Sequence, residues 1–148
     1  LIEEKYNMIR FHASYQITEK LTLKNRIEYH FNNDEYGDNN SYLIYQDILY
    51  NPNNKKYSIA FRYELFNSEK GSVYAYENDV LYAFAVGGLS GKGIRTYLVG
   101  KTLLFDRIQI SGKIGFTIFE NKTEIGSGLE TIYNNWRSDC KLQLIWSI

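Results

Sequence analysis

From Ile9 the apolar residues fall on every second position, Ile9, Phe11, Ala13, Tyr15 and Ile17, with Arg10, His12, Ser14 and Gln16 between them. A period of two predicts a strand with one apolar face. The pattern restarts after Thr18-Glu19-Lys20 and runs over residues 21–31, which predicts a hairpin with Arg10 set opposite Glu28. Residues 32–40, rich in Asn, Asp and Gly, read as a loop. Alternation returns over 42–50, and Asn51-Pro52-Asn53-Asn54 turns the chain into a fourth strand at 57–65. Further strands are predicted at 76–86, 94–103, 108–118 and 136–148, making eight. Their lengths exceed the ~5–6 residues usual in soluble sheets and suit a tilted strand crossing a bilayer.

Taking the more apolar phase of each strand gives a face without a single charge, with Ile44, Ile48, Ile59, Phe61, Val80, Phe84, Leu98, Ile110, Ile114, Leu142 and Leu144 among its members. The opposite face carries Arg10, Lys24, Arg26, Glu28, Asp47, Arg62, Glu64, Glu77, Asp79, Arg95, Lys101, Lys113, Arg137, Asp139 and Lys141. A soluble sandwich or lipocalin-like barrel turns its apolar face inward, whereas a membrane barrel turns it out. Tyr29, Phe31, Tyr42, Tyr50, Tyr57, Phe66, Trp136 and Trp146, near the predicted strand ends, suit interfacial girdles. On this reading Ile114→Arg is costly, while Lys113→Glu, on the polar face, leaves folding largely intact.

Composition narrows the reading little further. The 148 residues suit one domain over 1–148, and 17 basic residues balance 17 acidic ones, so no net field points to nucleic acid or an anionic surface. Fourteen Tyr and eight Phe against one Pro favour strands. Cys140 is alone, which excludes an internal disulfide and a structural zinc site of the Cys type. The mostly apolar run 80–89 is about half of the ~20 residues a spanning helix needs. The opening Leu1-Ile2-Glu3-Glu4-Lys5 has no basic-then-apolar region, so the chain reads as a mature domain or a piece of something longer.

No constellation in the sequence carries catalysis. His12 and His30 share the polar face of adjacent strands without a spacing signature for a metal or a nucleophile, and they read as lumen histidines. Gly87-Gly88-Leu89-Ser90-Gly91-Lys92-Gly93 misses the phosphate-loop register, because Gly93 stands where a hydroxyl belongs; it reads as a turn. Glu77 and Asp79 are spaced like a general acid and base, but beside Arg62 and Arg95 they read as part of a salt-bridge network. Cys140, on the apolar face, reads as inert.

The stretches Leu23-Lys24-Asn25-Arg26-Ile27-Glu28-Tyr29, Tyr42-Leu43-Ile44-Tyr45-Gln46-Asp47 and Tyr74-Ala75-Tyr76-Glu77-Asn78-Asp79-Val80-Leu81-Tyr82-Ala83-Phe84 resemble the C-terminal β-barrel part of Bacteroidota helix-hairpin-helix domain-containing outer-membrane proteins. So do Gly91-Lys92-Gly93-Ile94-Arg95 and Ile125-Gly126-Ser127-Gly128-Leu129-Glu130. The resemblance covers nearly the whole chain and lies in the barrel; the helical motifs themselves are absent, and the chain ends in Ile148 where such barrels often end in an aromatic residue. It implies a Gram-negative outer membrane, with any link to DNA carried by sequence upstream.

The expectation is therefore an all-β, antiparallel transmembrane β-barrel, or the last eight strands of a larger one. It would be non-enzymatic, without cofactor, metal or catalytic residues, and would serve as a membrane anchor or a transport or assembly component. Its partners would be outer-membrane lipid and other outer-membrane or periplasmic proteins, with nucleic acid only through an upstream region. The alternative is a soluble up-and-down barrel around a small apolar ligand. One inconsistency stands in the eight-strand count: with the C-terminus on the short-turn side, the long links 32–40 and 67–73 fall on that side too.

Overall fold

Alternation that leaves one face of every strand apolar allows each strand to pair with the next in sequence, and a simple meander results. The computed structural model describes residues 5–34, 37–53, 56–83, 86–105 and 107–147. Seven strands run β1 Lys5–Thr18, β2 Leu21–Asp34, β3 Gly37–Tyr50, β4 Tyr57–Tyr76, β5 Val86–Leu104, β6 Ile108–Phe119 and β7 Trp136–Trp146. They form one antiparallel sheet in the order of the sequence. The sheet is not closed: β1 and β7 are its edges and do not pair with each other.

The first hairpin has the expected register, with Arg10 opposite Glu28 and a guanidinium-to-carboxylate contact of 2.6 Å. Two predicted boundaries need correction. Residues 32–34 and 37–40, read as loop, continue the β2–β3 ladder as far as Asp34 opposite Gly37. The glycine-rich turn over 87–93 is instead strand, paired with β4 on one side and, at Gly93, with β6 on the other. Gly93 has a packing reason to be there: an added Cβ would lie 2.2 Å from the Ile118 carbonyl oxygen and 2.9 Å from the Phe66 ring.

The eighth strand disappears because residues 76–86 are not a crossing. β4 runs on through an irregularity between Ser68 and Val73, where Gly71 has φ +90°, and pairs with β5 up to Tyr76 opposite Val86. Residues 77–83 then leave the sheet. Tyr82 adopts φ +64°, a left-handed conformation that is costly for a bulky residue.

Seven strands also remove the inconsistency in the links. The turns at residues 19–20, 51–56 and 105–107 lie at one end of the sheet, while the longest links, 77–85 and 120–135, lie at the other. Since β1 and β7 are both odd-numbered in a meander, both run toward the short-turn end.

The two faces of this sheet have opposite polarity. Across the outside run rows such as Leu23, Ile48, Phe61, Leu98, Ile114 and Cys140, and Ile27, Ile44, Leu65, Ile94, Ile118 and Trp136. Leu98 and Ile114 are 46% and 43% exposed, while on the inner face Arg62 is 2%, Glu64 0% and Lys113 3% exposed. Ile44, Ile59, Phe61 and Leu142 are outward and exposed as expected; Phe84 lies outside the described residues. Two outward assignments fail. Val80 is buried on the 77–83 link, and Phe66 is buried on the inner face, edge-on to Phe119 at 5.8 Å. Phe66, Leu43, Tyr45, Val73, Ala75, Leu89, Phe119 and Ile125 make the small apolar core, at the long-link end.

Candidate functional site: a charged inner face covered by an in-folded link

The inner face is built from rows of cross-strand neighbours, of which Lys24, Asp47, Arg62, Tyr97, Gly115 and Asp139 form the central one. Arg62 grips Asp47 with two hydrogen bonds, Nε to Oδ1 at 2.6 Å and a terminal nitrogen to Oδ2 at 2.8 Å. Its guanidinium also lies 3.7 Å from the Tyr45 ring centroid. This is the fork geometry and aromatic stacking for which arginine is suited and lysine is not. Glu64, wholly buried beside it, accepts from Arg62 at 3.4 Å through Oε2, and its Oε1 has no hydrogen-bond partner among the described residues.

Toward β1, Glu28 accepts from Arg10 and Arg26 and contacts the His30 ring. That fixes His30 as part of a charge cluster. His12 lies opposite Arg26 while His30 lies opposite Met8, so the two histidines stand four residues apart along the ladder, about 13 Å. They do not meet. Among the described residues no group of three or more His, Cys, Asp or Glu side chains could hold a metal ion. Cys140 is exposed on the outer face, in the row of Ile114.

The 77–83 link folds back over this face and is held there by its acids. Glu77 accepts from Arg95 on β5, with a terminal nitrogen to Oε2 at 2.9 Å, and from Lys113 Nζ on β6 at 2.6 Å. Asp79 Oδ2 accepts from Lys113 at 3.2 Å and from Lys141 on β7 at 2.7 Å. Between them the Asn78 backbone N–H donates to the Tyr97 hydroxyl at 2.9 Å, and Gln143 donates to the Leu81 carbonyl at 2.6 Å. Burial alone would raise the Glu77 carboxyl, but the hydrogen bonds from Arg95 and Lys113 hold it below the ordinary range. Burial likewise works against the charge on Asp79, and Lys141, the Val80 N–H and Lys113 together hold its carboxyl low.

Sequence reasoning therefore placed Glu77 and Asp79 correctly on the charged face and in a salt-bridge network, and placed them wrongly on a strand. Their partners are Arg95, Lys113 and Lys141, whereas Arg62 belongs to Asp47 and Glu64. Lys141 was missed as a partner because it is 62 residues from Asp79. The geometry also corrects the tolerance expected of Lys113→Glu: a third carboxylate would stand between Glu77 and Asp79. The soluble alternative expects apolar side chains converging on a cavity; here the inner face buries ion pairs along most of its length and an apolar cluster only at the long-link end.

By fold, the described residues form an open antiparallel meander of seven strands whose inner face buries ion pairs and a small apolar core and whose outer face is apolar and exposed. Compared with protein-family models, curated proteins and solved structures, it matches none.

Proposed function

We propose that this sheet is the wall of an outer-membrane β-barrel that serves as a non-enzymatic anchor or as a transport or assembly component. The observation that carries the reading is the inverted polarity: a run of Ile, Leu, Phe and Tyr exposed on the outside, and ion-paired arginines, lysines and acids buried on the inside. In water such an outside is a large apolar patch with nothing to cover it; in lipid it is the face a barrel presents. Several outward polar groups are paired within the sheet, Gln46 donating to Asn25 at 3.0 Å and Thr96 to the Arg62 carbonyl at 2.9 Å, as a lipid-facing surface needs. The two longest connections, β4 to β5 and β6 to β7, share one end of the sheet, as the long loops of such a barrel do.

A membrane tolerates no open sheet edge, so the backbones of β1 and β7 must be paired there. Both run toward the short-turn end, so pairing them directly would be parallel. Antiparallel closure takes an odd number of further strands between them. On this reading lipid is the principal partner, and contacts to nucleic acid or periplasmic proteins belong to other parts of the polypeptide. The test is fractionation of the full-length protein from a Gram-negative cell, with gel mobility compared before and after boiling. Outer-membrane recovery with heat-modifiable mobility is the expected result, and recovery in the soluble fraction would refute the proposal.

A further inference from the structure

The inner face is short of acids. Among the described side chains it carries, by register and contact, nine basic ones, Arg10, Lys24, Arg26, Arg62, Arg95, Lys101, Lys113, Arg137 and Lys141, against six acidic ones, Glu28, Asp47, Glu64, Glu77, Asp79 and Asp139. Two of the six acids come from the 77–83 link and none of its residues pairs in the ladder. Take the link away, and Lys113 and Lys141 lose every carboxylate partner they have among the described residues, while Arg95 keeps Asp139 and the Thr117 hydroxyl. With the link in place Lys113 is buried, and the negative charge beside it comes from Glu77 and Asp79.

We propose that Arg95, Lys113 and Lys141 form a binding site for a small polyanion, and that Glu77 and Asp79 occupy that site from within the chain as stand-ins for its ligand. The carboxylates show the ligand's outline. One negative group sits in the Arg95 fork against Lys113, and a second lies between Lys113 and Lys141. Lys113 Nζ lies 2.6 Å from Glu77 Oε2 and 3.2 Å from Asp79 Oδ2, so one cation bridges both negative groups, an arrangement matched by a short oligophosphate or a dicarboxylate. The Tyr97 hydroxyl, which accepts from the Asn78 backbone and side chain, lines the gap between them.

The link is made to leave without unravelling the sheet. Among the described residues its ties to β5, β6 and β7 are side-chain ion pairs, the Asn78–Tyr97 contacts, the Gln143-to-Leu81 bond and the burial of Val80, while its Leu81 and Tyr82 side chains are exposed. A ligand that supplies both negative groups replaces those ion pairs in kind. Because these contacts are the same whether the outer face meets lipid or water, the site stands independently of the membrane reading.

The experiment uses tripolyphosphate as probe and the full-length protein in the medium in which it folds, with sodium chloride at matched ionic strength as control. A nitroxide on Leu81→Cys, in a Cys140→Ser background, reports the link. Tripolyphosphate is expected to free the label saturably where chloride does not. Glu77→Gln with Asp79→Asn is expected to bind tripolyphosphate at least tenfold more tightly than the wild type, and Lys141→Gln in that background to lose the gain. Equal responses to the two salts, or no tightening in the doubly substituted protein, would overturn the site. If that protein does not fold, the label on the otherwise unaltered link decides alone.

Discussion

Ile114→Arg separates a lipid-facing sheet from a water-facing one by magnitude. The outer apolar band on β6 runs from Ile108, opposite Trp146, to Ile118, opposite Trp136. Ten residues at ~3.3 Å each give about 33 Å along the strand, or roughly 25 Å of height at the ~40° tilt of a membrane barrel. Ile114 sits near the middle of that band, in the row of Leu98 and Cys140. In a bilayer an arginine there should cost about 2–4 kcal/mol, and the same change at Ile118, by the rim, about 0–1 kcal/mol. On a surface facing water both changes should stay within ~0.5 kcal/mol. The assay is denaturant titration of the full-length protein folded into lipid vesicles. A depth-dependent cost supports the reasoning; equal costs at Ile114 and Ile118 would refute it.

Further predictions concern the inner face. Arg62→Met leaves Asp47 and Glu64 buried without their cation and should cost about 3–5 kcal/mol in equilibrium unfolding, partly recovered by adding Asp47→Leu. Glu77 and Asp79 have carboxyls held low, so the stability they confer is present above their unfolded values of about 4.3 and 3.9 and is lost as pH falls through the lower folded values. The hydrogen-exchange protection of 77–83, corrected for the pH dependence of intrinsic amide exchange, should therefore be high at neutral pH and fall below about pH 4; a fall beginning near neutrality would contradict the ion-pair account. Gly93→Ala pushes a methyl against the Ile118 carbonyl and the Phe66 ring and should cost at least about 1–3 kcal/mol in the same titration.

Most of the sheet was legible because a two-residue period and a charge-free face are local signals, carried by neighbours such as Arg10, Phe11 and His12. The 76–86 segment misled for the same reason. Tyr76, Asn78, Val80 and Tyr82 alternate with Glu77, Asp79, Leu81 and Ala83 as a strand does, and no Gly or Pro marks the point where Tyr82 turns left-handed. What holds that segment off the sheet edge is a set of contacts to residues 18 to 62 positions away, which no local pattern encodes. The glycines of 87–93 misled in the opposite sense. They signal a turn in sequence, yet Gly93 is a strand residue kept small by the strand and ring pressed against it. The candidate site was half legible: its acids were picked out as a pair on the charged face, and its cations were scattered over three strands.

The central claim is that the outer face meets lipid. It is tested most directly by placing a single tryptophan at Ile114 or Ile48 on the outer face, or at Ser14 on the inner one, with Trp136 and Trp146 changed to Phe, in vesicles of lipids brominated along their chains. The account predicts strong quenching at Ile114 and Ile48 and none at Ser14. Unquenched fluorescence at both outer positions in the folded protein, or quenching at Ser14 instead, would contradict it.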